Sequence, residues 1–260
     1  MIKLFVSDID GTLMDRSKQI RQEDIDAIRL ANEQGVHICL ASGRMYEEIK
    51  VVMDVLGVPC YAICQNGATI VDQNGTVIQA SRFDRELALN VHRYVAPAPL
   101  VTVICGSEGN YVAENSADTE RVGQRFLTPL IENSDILDQM ANGMPVTKFS
   151  IYGEIPRLEQ MLVELDQRFA ERITASFSDP DGIDVMPGGV DKGAAVECLM
   201  QLLGVRRGET ACIGDSFNDL AMFRICSRSF AMSHSHGTVL STATHQADTV
   251  SQALQDLLVG

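Results

Sequence analysis

From residue 2 to residue 80 the chain alternates short apolar strand signals with amphipathic helix signals; the alternation breaks off near residue 83 and resumes at Lys192. Such a rhythm restricts the fold more than any other feature, because alternating strands and helices favour a parallel sheet with helices on its faces. "IKLFVS" (2–7), "VHICLA" (36–41) and "CYAICQ" (60–65) read as buried strands, with helices over 24–33 and 46–56 between them. Asn74-Gly75 between two β-branched runs signals a hairpin. After the break come a helix from Arg85, strands "LVTVIC", "NYVAE" and "VTKFSIY", a helix around Pro156–Phe169, and strands "RITASF" and "IDVMP". This stretch reads as a separate α+β unit, spliced into a doubly wound parallel-sheet core. The expected domains are a core of 1–82 and 189–260 and an insert of 83–188. A helix to Leu203, the strand "TACIG" (210–214), a helix from Asn218, the strand "SFAM" and a last helix to Leu258 complete the core.

In open α/β sheets ligands bind beyond the carboxyl ends of the strands. Four strand ends here carry reactive residue types: "DIDGT" after the first, "SGR" after the second, "QNGA" after the third and "GDSFND" after the strand at 210–214. Asp8 and Asp10 are spaced i, i+2, on one side of a continuing strand, where two like charges about 4 Å apart repel by roughly 4 kcal/mol at an effective dielectric near 20. With Asp215 and Asp219 converging on the same end, the set requires a cation. Mg²⁺ suits it, because that ion takes hard oxygen ligands and is usually held by carboxylates together with a substrate phosphate. One carboxylate can attack phosphorus to form an aspartyl-phosphate while a second shuttles the proton. Ser42 and the backbone at Gly43, ahead of a helix, offer donors for an anion, and Lys192 opens the next helix as a point charge for a phosphate.

These motifs together, "DIDGT", "ASGR", "DKGAA" and "GDSFND", resemble the haloacid dehalogenase superfamily, and the position of the insert is similar to that in its Cof-type phosphatases with a large (type IIB) α+β cap. The resemblance spans nearly the whole chain. It implies Asp8 as nucleophile, Asp10 as acid/base, and Ser42 and Lys192 on the phosphate. It further implies Mg²⁺ held by Asp8, Asp10 (through its backbone carbonyl), Asp215 and Asp219, and substrate contacts from Gly43, Arg44, Asn66, Gly67 and Asn218. The implied substrates are small phosphorylated metabolites, sugar phosphates above all, chosen by a cap that closes over them. One departure is "AMSHS" (231–235), where the family often carries "AMGNA". Read alone, Ser42 suits a helix cap, Asn66-Gly67 a turn, and Arg44 an ion pair with Glu47 or Glu48 on the surface.

Composition removes other classes. A net charge of -14 with no basic patch argues against nucleic acid and anionic membranes as partners. No apolar run reaches the 18 or so residues of a membrane span, no signal peptide is evident, and the cytoplasm is the expected compartment. Seven cysteines without a Cys-x-x-Cys pair read as buried reduced thiols. His234, His236 and His245 read as solvated loop residues. A phosphomutase of the same fold and a phosphometabolite-binding regulator stay open as alternatives, as does a homodimer.

Overall fold

A computed structural model describes residues 1–15 and 17–258. In chain order the first core segment contains β1 (Leu4–Ser7), α1 (Gln22–Glu33), β2 (His37–Ala41), α2 (Tyr46–Leu56), β3 (Cys60–Cys64), β4 (Thr69–Val71) and β5 (Val77–Ala80). The insert contributes α3 (Arg85–Val95), β6 (Val101–Gly106), β7 (Asn110–Val112), α4 (Ala117–Gly123), β8 (Ile131–Glu132), α5 (Ile136–Ala141), β9 (Val146–Tyr152), α6 (Ile155–Phe169), β10 (Ile173–Asp179) and β11 (Gly182–Pro187). The core then resumes with α7 (Lys192–Leu203), β12 (Thr210–Gly214), α8 (Leu220–Ile225), β13 (Arg228–Met232), α9 (Gly237–Thr242), β14 (His245–Ala247) and α10 (Val250–Leu258). The described chain divides into two compact units, Met1–Ala80 with Asp191–Gly260, and Ser81–Val190.

The first unit is a doubly wound α/β sheet in the order β14-β13-β12-β1-β2-β3-β4-β5. The strands from β14 to β3 run parallel, and the β4–β5 hairpin adds antiparallel strands at one edge. Alternation along each strand sorts its side chains onto two faces. In β1, Phe5 joins α1, α2 and α10 on one face, while Leu4 and Val6 join α7, α8 and α9 on the other. Ile38 and Leu40 of β2 fall on the first face, and Cys39 and Ala41 on the second. With both faces covered, strands read as continuous apolar runs, which is why "LFV" and "ICLA" show no polar alternation. Each large apolar side chain buried this way contributes about 1.5–3 kcal/mol, so the strand ends that carry the reactive residues are held on a rigid frame.

Several short elements escape periodicity. The helix expected from Asn218 begins as a 3₁₀ turn over Phe217–Asp219 before α8. The strands β8 and β14, of 2 and 3 residues, and the six-residue α9 are too short to show a period. His245, expected in a loop, lies in β14 with its ring stacked on Phe230 at 5.0 Å. His236 caps α9, its Nδ1 accepting from the amide of Thr238 at 3.2 Å. All seven cysteines are free thiols and six are buried, with Cys198 half-buried.

The second unit is an antiparallel-rich sheet in the order β10-β11-β9-β6-β7-β8. Phe149 and Ile151 of β9 pack on α3 and α6, through residues such as Val91, Leu158 and Met161. On its opposite face, Lys148 Nζ donates to Asp184 Oδ2 at 2.9 Å and Ser150 Oγ to Asp184 Oδ1 at 2.5 Å. No helix among the described residues is long and apolar enough to cross a membrane.

Candidate active site

Strand β1 stops at Ser7, so the chain has left the sheet before Asp10 and the two aspartates do not share one side of a strand. Gly11 makes the turn at φ +80°, and a Cβ there would run into the Asp215 carboxylate. Asp8 is 5% exposed, whereas the Asp10 side chain is 46% exposed and turns toward Arg44. Asp8, Asp215 and Asp219 offer carboxylate oxygens that all lie within 4.8 Å of one another. The Asp10 carboxylate stands outside that group.

Lys192 is wholly buried at the first position of α7. Its Nζ donates to Asp8 Oδ1 at 2.6 Å and to Asp219 Oδ1 at 2.7 Å. The helix that carries it is capped by Asp191, whose Oδ1 accepts from the amide of Ala194 at 2.7 Å, and is anchored by Ala195, Val196 and Leu199. Burial alone would lower the Lys192 ammonium, but the charges and hydrogen bonds of Asp219 and Asp8 outweigh it and hold the group above its ordinary range. Asp219 has a second task, because its Oδ2 accepts from the amides of Asp215 at 2.9 Å and Ser216 at 3.0 Å and so shapes the loop.

The carboxylates outnumber the cation among them. Burial pushes the Asp8 carboxyl well above its usual range; Lys192 opposes the shift, and Asp219, Asp215 and Asp10 add to it. Asp215 is raised to about 7, first by burial and then by the charge of Asp219. Asp8 Oδ2 is buried and has no hydrogen-bond partner. An orphaned buried oxygen costs about 1–3 kcal/mol, and more when charged, so this atom is held in place by its surroundings rather than by bonds of its own.

The residues expected to meet the phosphate and its substituent gather beside β2 and β3. Ser42 is buried, with its amide on Ile63 O at 2.9 Å and its Oγ accepting from the amide of Arg44 at 3.2 Å. Gln65 and Asn66 are non-glycine residues at φ +49° and +55°, a conformation costing roughly 1–2 kcal/mol per residue. Gly67 follows at φ +104°, where a Cβ would collide with the backbone oxygen of Asp191. This turn sets Asn66 Oδ1 to accept from Asn218 Nδ2 at 3.1 Å, while Asn218 Oδ1 is buried without a partner. Asn66 and Asn218, from opposite ends of the sequence, thus meet as a pair.

Arg44, expected at the substrate or in a surface ion pair, instead holds two carboxylates, those of Asp10 and Glu48. Its Nε and Nη2 donate to Asp10 Oδ2 at 2.8 Å and Oδ1 at 2.7 Å, and its Nη1 reaches Glu48 Oε1 at 3.3 Å. Glu48 is 1% exposed, a buried carboxylate rather than the surface partner that its helical spacing suggests. Thr12 Oγ1 lies 3.5 Å from Asp215 Oδ1, and His234 Nε2 is 3.7 Å from Asp215 Oδ2. For Glu48 the i+4 spacing from Arg44 was the one available signal; Thr12 closes the "DIDGT" motif and His234 falls within "AMSHS", but neither position points to Asp215 as the partner.

A family model described as haloacid dehalogenase-like hydrolase matches residues 5–253. An HMP-PP phosphatase of Serratia proteamaculans is 25% identical over 255 residues, covering 98% of this chain and 89% of that protein. Among solved structures, a haloacid dehalogenase-like hydrolase from B. subtilis superposes with a TM-score of 0.86 at 21% identity, covering 99% of this chain and all of that one. A HAD subclass IIB sugar phosphatase, BT4131, superposes with a TM-score of 0.83 at 19% identity, covering 98% of each. The chain belongs to the haloacid dehalogenase-like hydrolases, and it is a Cof-type enzyme of the phosphatase class.

Proposed function

We propose that the protein is a Mg²⁺-dependent phosphatase that hydrolyses small phosphorylated metabolites, sugar phosphates foremost, through an aspartyl-phosphate on Asp8. The observation that carries this reading is the buried, unpartnered Asp8 Oδ2, set beside an ammonium that occupies only Oδ1. That oxygen keeps its lone pairs for phosphorus. The orphaned atom and the all-oxygen donor set also fit a hard divalent ion. Asp8 and Asp215 would hold it with the Asp10 backbone carbonyl and Asp219, which keeps one lone pair on Oδ1 after Lys192 and the two amides are counted. Bound there, Mg²⁺ would offset the carboxylate charge and polarise phosphoryl oxygens. Lys192 fixes Asp8 for attack, and Ser42 and the Asn66–Asn218 pair supply polar groups for the phosphate and its substituent. A sugar phosphatase and an HMP-PP phosphatase among the similar proteins support small phosphorylated metabolites as the substrate class.

Phosphate release from a panel of sugar phosphates and other phosphorylated metabolites, with Mg²⁺ and after chelation, tests the reading. Release that chelation lowers by at least about 100-fold is the expected result. Release unaffected by chelation contradicts the metal role, and transfer to a sugar acceptor in place of release selects the mutase.

The shift at Asp215 makes a pH dependence testable. A carboxyl held higher in the folded than in the unfolded chain stabilises the fold in acid, and that contribution is lost as pH rises through about 7. A divalent ion binds the deprotonated form, so Mg²⁺ should raise the melting temperature little near pH 5 and by several degrees near pH 8. Differential scanning fluorimetry across that interval checks it; a Mg²⁺ shift of the same size at both ends contradicts it.

A further inference from the structure

Glu48 is a buried carboxylate in the first turn of α2, where the amide end of the helix favours negative charge. Its Oε2 accepts from the amide of Met45 at 3.2 Å, and its Oε1 faces Arg44 Nη1 at 3.3 Å. Helix α2 is anchored in the core by Ile49, Val52 and Leu56. The guanidinium therefore has one side set by a rigid helix. Its other side forks onto both oxygens of Asp10. A bidentate fork fixes the plane as well as the position of a carboxylate, which an ammonium cannot do. Asp10 is half exposed and lies beyond the end of β1, so without the fork its side chain would sample several rotamers.

We propose that Glu48 and Arg44 are positioning residues for proton transfer: Glu48 orients Arg44, Arg44 orients Asp10, and the pair acts on the reaction through Asp10 rather than through the substrate's phosphate. The proposal rests on the phosphatase reading above. In that reaction one Asp10 oxygen leaves the fork carrying a proton while the other stays on Arg44; the Asp8 Oδ2–phosphorus bond forms as the bond from phosphorus to the leaving oxygen breaks, and that proton passes to the leaving oxygen. A water oxygen then bonds to phosphorus, its proton passes to Asp10, and the Asp8–phosphorus bond breaks to release inorganic phosphate. Help from a proton donor matters in proportion to the basicity of the leaving oxygen. A sugar alkoxide needs it, whereas p-nitrophenolate leaves without it.

The experiment compares kcat/KM for the most active alkyl phosphate of the panel with that for p-nitrophenyl phosphate, in the wild type, Glu48→Ala, Glu48→Gln, Arg44→Ala and Asp8→Asn. A lost phosphate contact or a loosened fold affects both substrates by the same factor, so the ratio isolates proton transfer. General acid catalysis contributes typically 10²–10⁴-fold, and mispositioning its donor should lower the alkyl-to-aryl ratio about 10–100-fold. That fall is expected for Glu48→Ala and Arg44→Ala, with a smaller fall for Glu48→Gln, which keeps an acceptor oxygen toward Arg44. An unchanged ratio in both alanine variants overturns the inference and leaves the phosphatase reading standing. A wild type that releases phosphate from neither substrate, or an Asp8→Asn protein as active as the wild type, overturns the phosphatase reading itself.

Discussion

Asp8→Asn is expected to lower kcat/KM by about 10⁴-fold or more on every phosphorylated substrate while leaving the protein folded. Removing a covalent nucleophile costs this much elsewhere, because the rest of the site acts on a bond that no longer forms. The fold should tolerate the change. Asp8 shares a buried cluster with Asp215 and Asp219, and a neutral side chain of the same shape relieves the repulsion that raises its carboxyl. An apparent melting temperature at or above that of the wild type near pH 8, without Mg²⁺, is the accompanying result. Activity within tenfold of the wild type would exclude Asp8 as the attacking group.

Lys192→Met carries the second large effect, and here stability falls along with activity. The ammonium is wholly buried between Asp8 and Asp219, at 2.6 and 2.7 Å. Removing one partner of a buried ion pair leaves uncompensated charge and costs about 3–5 kcal/mol. Methionine fills much of the volume, so the penalty is electrostatic rather than a cavity. Urea unfolding near pH 8 without metal should show the loss in full. Near pH 5, where Asp215 takes up its proton, the loss should shrink, and Mg²⁺ should offset part of it at either pH. A penalty under about 1 kcal/mol at pH 8 would mean that the three carboxylates are not ionised together in the folded protein.

How far the sequence spoke for this arrangement depended on the length of the signal. The buried runs of β1, β2, β3 and β12 and the helices α2 and α7 were legible because apolar periodicity and glycine stops mark them over several residues. The doubly wound core followed from their alternation. Elements such as α9 and β14 were not legible, since three to six residues set by tertiary packing leave no period to read. The grouping of Asp8, Asp215 and Asp219 could be anticipated from strand ends; Lys192 was expected from its place at the start of a helix, as a charge for the phosphate rather than as the partner of Asp8 and Asp219. The direction of Asp10 could not, because a period-2 argument fails where the strand stops, and Ser7 is its last residue. Nor could the burial of Glu48, whose spacing from Arg44 suits a solvent-exposed pair equally well. The left-handed backbone at Gln65 was likewise silent, because only Asn66-Gly67 announces that conformation in the sequence.

The attack of Asp8 on phosphorus is tested most directly by quenching the enzyme in acid during turnover of a phosphorylated substrate and weighing the Asp8-containing peptide. The account predicts one phosphoryl group on that peptide, labile to hydroxylamine as an acyl phosphate must be, and none in Asp8→Asn. A wild-type enzyme that turns over under the same conditions, with the phosphoryl group on a different residue or on none, would contradict it.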